Sequence, residues 1–235
     1  MSIDYTSLNY VLISLLILLI LVLIVAMIVL VWLIRRKRRS SEQALQTLTG
    51  LKIWGNIPRI STRQAGKVAL MPLHKPGSAL AEAYRLTAAA MRYALAQQRP
   101  YSLLVTSVHP NEGKSTAALS LALSHAQLGA KVLLIDADLR QPSLHNKTGL
   151  EQGRGLSDYL QEHISLTRAT KTFSAQDNLF IMTAGRSVSD PMPLLATKHF
   201  QVLLQQARQY FDLTILDAPP VRGFADTFII SAQAN

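Results

Sequence analysis

The pattern of apolar and polar positions divides the chain into three stretches. Residues 11–34, VLISLLILLILVLIVAMIVLVWLI, hold no charged side chain, and Ser14 is their one polar residue. At ~1.5 Å per residue this run makes roughly 36 Å of helix, enough to cross a hydrocarbon layer of about 30 Å. It predicts a transmembrane helix over 11–34, preceded by a short tail over 1–10. From 35 to 77 the apolar pieces are short and broken by glycine, proline and polar residues, as in GLKIWGNIPRI, which reads as a juxtamembrane connector, docked or extended. Beyond it the alternation becomes regular. Ser78 is placed to cap a helix with Glu82 in its first turn, and ALAEAYRLTAAAMRYALAQQ is rich in helix formers. Apolar runs at 102–107, 131–138, 178–184 and 211–219 read as buried strands, and the segments 114–128 and 192–210 carry helical period. Strands alternating with helices predict an α/β domain over 78–235, built on a doubly wound, mostly parallel sheet.

Charge sharpens the first boundary. The chain of 235 residues carries a net charge of +10, and Arg35-Arg36-Lys37-Arg38-Arg39 stands directly after the apolar run. The leading MSIDYTSLNY has no Lys or Arg, so a cleaved signal peptide, which needs a basic start and a shorter apolar centre, is excluded. The positive-inside rule places residues 1–10 outside and the α/β domain in the cytoplasm. Trp32 and Tyr10 stand near the two ends of the span. The basic run sets topology and attracts anionic lipid, which accounts for the positive charge without a nucleic-acid partner. With no cysteine, disulfides, thiolate catalysis and cysteine metal sites are excluded, and the six histidines show no ligand spacing.

Candidate chemistry concentrates where the first strand turns into a helix. A phosphate cradle needs converging backbone N–H groups, a helix amino terminus and a mobile cation. Pro110-Asn111-Glu112-Gly113-Lys114-Ser115-Thr116 offers all three: Gly113 for close approach, Lys114 for the β and γ phosphates, Ser115 for Mg²⁺ and Thr116 for the α phosphate. The general pattern G-x-x-x-x-G-K-[ST] has glycine where this chain has Val108. Asn111 tolerates the left-handed backbone better than most residues. Two further strand ends carry carboxylates. Asp136 and Asp138 close the 131–138 run, two apart and so on one side, and Asp217 closes the 211–219 run as the expected acidic partner of a metal-bound nucleotide.

In their order, TSVHPNEGKST, VLLIDADLRQPSLH, GLSDYL, AGRSVSDPMPLL and FDLTILDAPPVRGFADTFII resemble the successive motifs of the bacterial tyrosine kinases (BY-kinases) of capsular and exopolysaccharide export, from about residue 78 to the end. In that family the first loop glycine is commonly absent. LTGLKIWGNIPRI is similar to the segment that follows the second span of polysaccharide co-polymerases fused to such kinases. The resemblance implies a P-loop NTPase fold, ATP and Mg²⁺ as cofactors, and a bacterial inner (plasma) membrane location. It implies partners among membrane lipid, a polysaccharide co-polymerase or export machinery, tyrosine-bearing protein substrates and further copies of the chain. Lys114 would neutralise the transferred phosphoryl group, with Ser115, Asp138 and Asp217 at the metal. Asp136 would either accept the proton of a tyrosine hydroxyl or only organise metal-bound water. Against the family pattern, Ala88 follows Glu82 and Arg85 where a second arginine serves ring assembly, the seven tyrosines form no cluster, and the chain reads as ending before a further core strand. Two alternatives share these features: an inactive or weakly active regulatory module of a co-polymerase, and a partition-type P-loop ATPase, which would normally carry an extra lysine within 108–112.

Overall fold

The computed structural model describes residues 15–32, 47, 50–59, 68–162 and 164–234. The chain falls into two units, Met1–Ile53 and Trp54–Asn235. In the first, α1 (Leu15–Trp32) has a mean hydropathy of 3.6 and side chains exposed along its length. A helix apolar on every face offers no stripe for a protein core to select, whereas hydrocarbon solvates all of it. Among the described residues this one helix is long and apolar enough to cross a membrane, which fits a single-pass protein. Residues 1–14, including the leading tail and Tyr10, and residues 33–46, including the basic run, lie outside the described residues.

The second unit contains α2 (Met71–His74), α3 (Ala79–Ala94), a 3₁₀ turn (Ala96–Gln98), β1 (Tyr101–Val105), α4 (Lys114–Gln127), β2 (Val132–Asp136) and α5 (Leu144–Thr148). It continues with α6 (Leu156–Glu162), α7 (Leu166–Ala169), β3 (Lys171–Thr172), β4 (Leu179–Met182), α8 (Pro191–Leu195), α9 (Lys198–Tyr210), β5 (Leu213–Asp217) and α10 (Asp226–Gln233). The strands form one sheet in the order β1-β5-β2-β4-β3, parallel except where the edge strand β3 meets β4. The register sets Asp217 opposite Val105 on one side and opposite Asp136 on the other. Two of the three candidate aspartates therefore end neighbouring strands at one edge.

Burial on both faces explains why β2 and β5 read as unbroken apolar runs. Val132 and Leu134 face one core with Leu119 and Leu123 of α4, while Leu133 and Ile135 face the other with Leu160 of α6 and Phe200 and Leu203 of α9. Each such side chain contributes about 1.5–3 kcal/mol by leaving water. Outside α4 lies α3, started by the Ser78 hydroxyl, which accepts the Ala81 N–H at 3.2 Å, and burying Leu80, Tyr84, Ala88 and Met91 along one stripe.

Three boundaries differ from the hydrophobic pattern. The last part of the expected connector belongs to the packed unit: Val68 and Ala69 are buried, Ser120 Oγ donates to Ala69 O at 3.1 Å and Gln127 Nε2 to Pro72 O at 3.0 Å. The helix expected over 192–210 is two helices, because Thr197 is extended (φ −73°, ψ 155°) and its hydroxyl donates to Leu194 O at 2.7 Å. The strand expected to reach 138 ends at Asp136, and Asp138 lies in the turn beyond it.

Candidate functional site

β1 delivers the chain to the carboxyl edge of the sheet, and residues 106–113 turn back into α4. Asn111 (φ +64°) and Gly113 (φ +93°) are both left-handed, the kind of turn in which successive amides converge on one point. Asparagine reaches this conformation at lower cost than residues with bulkier side chains. Glu112 faces away from that point. Its Oε2 accepts the N–H groups of Val108 at 3.0 Å and His109 at 3.2 Å, so it braces the loop from within, at the position where the general pattern has glycine. The segment after β5 straps the loop: Val221 N donates to Ser107 O at 2.9 Å, and the hydroxyls of Thr106 and Thr227 each donate to Pro219 O at 2.6 Å.

A cavity of about 340 Å³ opens here. Its lining takes in the loop, from Pro110 to Thr116 without Glu112, together with Asp138, Gln141, Ser143, Lys147 and Pro220. Lys114 begins α4, and its Nζ lies 2.7 Å from Asp138 Oδ2, 3.6 Å from Asp217 Oδ1 and 3.3 Å from Ser115 Oγ. Asp138 Oδ1 accepts the Gln141 N–H at 3.0 Å, which fixes the turn. Asp136 and Asp217 are fully buried beside it. Asp136 Oδ2 accepts the N–H groups of Ser143 and Leu144, both at 3.0 Å, and so holds the start of α5. Asp136 Oδ1 and both oxygens of Asp217 have no hydrogen-bond partner.

Electrostatics follow from that burial. Desolvation, then the charge of Asp217, pushes Asp136 up to about 7; desolvation pushes Asp217 up to about 6 against the pull of Lys114. Burial works against the Lys114 charge, but Asp217 and Asp138 outweigh it and hold the ammonium above its ordinary value. Buried carboxylate oxygens without donors are costly, and a cation is what would satisfy them. Among the described residues no three His, Asp or Glu side chains form a metal cage of their own. Magnesium does not require one, since it is commonly held by one or two carboxylates together with phosphate oxygens and water. The residues present therefore fit a magnesium-bound polyphosphate.

Two clamps that sequence reading missed tie distant segments together. Arg140 grips Asp226 through two bonds, Nε to Oδ2 at 2.6 Å and Nη2 to Oδ1 at 3.1 Å, while its guanidinium lies 5.0 Å from the Phe224 ring centroid. Asp158 accepts Arg186 Nε at 2.5 Å and the N–H groups of Gly155 and Arg186. Each pair joins motifs distant in sequence, so neither residue predicts its partner. Lys147, on a five-residue helix too short to show a period, was likewise not legible. A larger cavity of about 610 Å³, with Lys131, Phe180 and Phe211 in its lining, opens at the amino ends of β2 and β5, away from every phosphate-loop residue.

A parallel α/β sheet with Gly113-Lys114-Ser115-Thr116 opening a helix at its carboxyl edge, beside two strand-end aspartates, defines the class of P-loop nucleotide-binding domains. The AAA domain family matches residues 111–234. The chain is 36% identical over 166 residues to the tyrosine-protein kinase YwqD of Bacillus subtilis (strain 168), covering 71% of this chain and 70% of that one. The chimerical protein CapA2B2 superposes with a TM-score of 0.73 at 27% identity, covering 82% of this chain and 81% of the other. The kinase domain of Escherichia coli tyrosine kinase ETK gives 0.71 at 26% identity, covering 79% and 76%. Of the full-length etk of Escherichia coli (strain K12) the chain spans 23%. The chain belongs to the bacterial tyrosine kinase family, and nucleotide binding follows from that membership.

Proposed function

We propose that the chain is a membrane-anchored, Mg-ATP-dependent protein-tyrosine kinase of exopolysaccharide or capsule biosynthesis and export. In this reading residues 1–10 lie outside the bacterial inner membrane, 11–34 span it, the basic segment that follows connects, and the packed unit from Val68 onward forms the cytoplasmic kinase domain, working with a co-polymerase or export machinery and with further copies of itself. The observation that carries the reading is the Lys114 ammonium resting between Asp138 and Asp217, beside the buried Asp136 Oδ1, which has no hydrogen-bond partner.

ATP and magnesium, when bound, supply the transferable phosphoryl group and the divalent charge that offsets it. The amides of Asn111 to Thr116 and the Thr116 hydroxyl would hold the phosphates, and Ser115, Asp138 and Asp217 would hold the metal. Lys114 would exchange Asp138 for phosphate oxygens. Asp136 keeps Oδ2 on the amides of Ser143 and Leu144, which leaves Oδ1 as the atom that would accept the proton of the tyrosine hydroxyl.

The test is transfer of label from γ-³²P-ATP to a synthetic glutamate–tyrosine copolymer by the full chain in detergent micelles. Magnesium-dependent phosphotyrosine that Lys114→Ala abolishes supports the reading. Absence of phosphotyrosine from the wild-type chain, or transfer that Lys114→Ala leaves intact, overturns it.

A further inference from the structure

The lining of the phosphate cavity includes a cation that the roles above leave unused. Lys147 lines the cavity from α5, and among the described residues no carboxylate lies within 4.0 Å of its ammonium. Its position is fixed from below. Asp136 Oδ2 holds the amides of Ser143 and Leu144, Leu144 is fully buried, and the Thr148 hydroxyl donates to Leu144 O at 2.7 Å. Gly149 (φ +71°) then ends the helix. A single turn anchored at both ends and in the core fixes the backbone from which this half-buried lysine reaches the cavity lining.

Charge balance says what that lysine is for. Lys114 and Asp138 are in direct contact at 2.7 Å, so Lys147 is the cation of the lining without a carboxylate partner among the described residues. A polyphosphate seated on the loop amides has its inner groups against residues 111–116, which leaves its last group to the cations of the lining, Lys114 and Lys147. We infer that Lys147 is a terminal-phosphate residue, which pairs with the last phosphate of a nucleoside triphosphate and makes the site prefer triphosphate over diphosphate. This rests on the nucleotide reading of the site.

The experiment is equilibrium binding of radiolabelled ATP and ADP, each with Mg²⁺, to the full chain in detergent micelles, for wild type, Lys147→Gln, Lys147→Arg and Lys114→Ala. Losing one charge-assisted contact predicts that Lys147→Gln weakens ATP by about tenfold and ADP by less than about twofold, and that Lys147→Arg restores most of the preference. Equal weakening of both nucleotides, or unchanged ATP binding, overturns the inference while leaving the nucleotide site in place. Wild type that binds neither nucleotide overturns the nucleotide reading itself.

Discussion

The Lys114 ammonium rests 2.7 Å from Asp138 Oδ2, so the residue assigned to phosphate is held, without a ligand, by a residue assigned to the metal. Nucleotide entry then exchanges one anion for another around a cation that stays charged throughout. Replacing Asp138 by asparagine separates the two roles. Asp138→Asn frees Lys114 and is expected to leave ATP binding in EDTA equal or tighter, while the gain from Mg²⁺ falls by about tenfold, the loss of one charged ligand contact. Titrations with and without metal check this.

Asp136 and Asp217 titrate in the folded protein at about 7 and about 6, above their ordinary 3.8. Between those limits the folded chain binds more protons than the unfolded one, so these groups make the unliganded protein lose stability as pH rises through the window. A bound cation favours the ionised forms and must expel protons there. Affinity for Mg-ATP is expected to climb through pH 6 and 7 and to level off by about pH 8, and Asp136→Asn should remove the upper part of that climb. A pH series of binding isotherms in buffers of different ionisation enthalpy gives both the slope and the proton count.

Arg140 and Asp226 are not interchangeable partners, because Asp226 is 1% exposed and the Arg140 side chain 31%. Arg140→Ala strands a buried carboxylate and is expected to cost about 2–3 kcal/mol, the lower end for a broken buried pair since the guanidinium is partly solvated. Asp226→Asn keeps a polar group of the same shape and should cost less. Thermal or urea unfolding of the two variants orders them.

Gly155 has no room for a side chain: a Cβ there would stand 2.2 Å from Thr183 O, a backbone atom that already accepts the Leu156 N–H at 2.8 Å. Gly155→Ala is expected to cost about 3 kcal/mol, the upper range of overpacking, because it pushes on the end of β4. Gly153→Ala, whose Cβ would meet only the flexible tip of Lys171 at 3.7 Å, should be close to neutral. Comparing the two melting temperatures isolates the backbone clash from the change in glycine content.

The sheet was legible because β1, β2, β4 and β5 are buried enough to appear as apolar runs, and the phosphate loop because its residue types are chemically particular. Asn111 was legible for the same reason, since few residues other than glycine take φ +64°. What stayed hidden depends on contacts between distant segments. Glu112 read as part of the phosphate cradle, but its carboxylate turns inward to the amides of Val108 and His109. Asp136 read as a reactive group on a strand end, yet one of its oxygens is committed to α5, a helix of one turn with no period to reveal it. Val68 and Ala69 looked like connector because small apolar residues near glycine and lysine carry no pattern, and only packing places them in the core, Val68 with Leu80 and Tyr84 and Ala69 with Leu119 and Leu123.

The measurement that bears most directly on the central claim is calorimetric titration of the full chain, in detergent micelles, with Mg-ATP, beside the Lys114→Ala variant. Saturable one-site binding by wild type, weakened by at least about tenfold in the variant through loss of the phosphate-facing cation, is the predicted result. No heat of binding in wild type, or identical isotherms for the two proteins, would contradict the assignment of residues 111–116 as a nucleotide cradle.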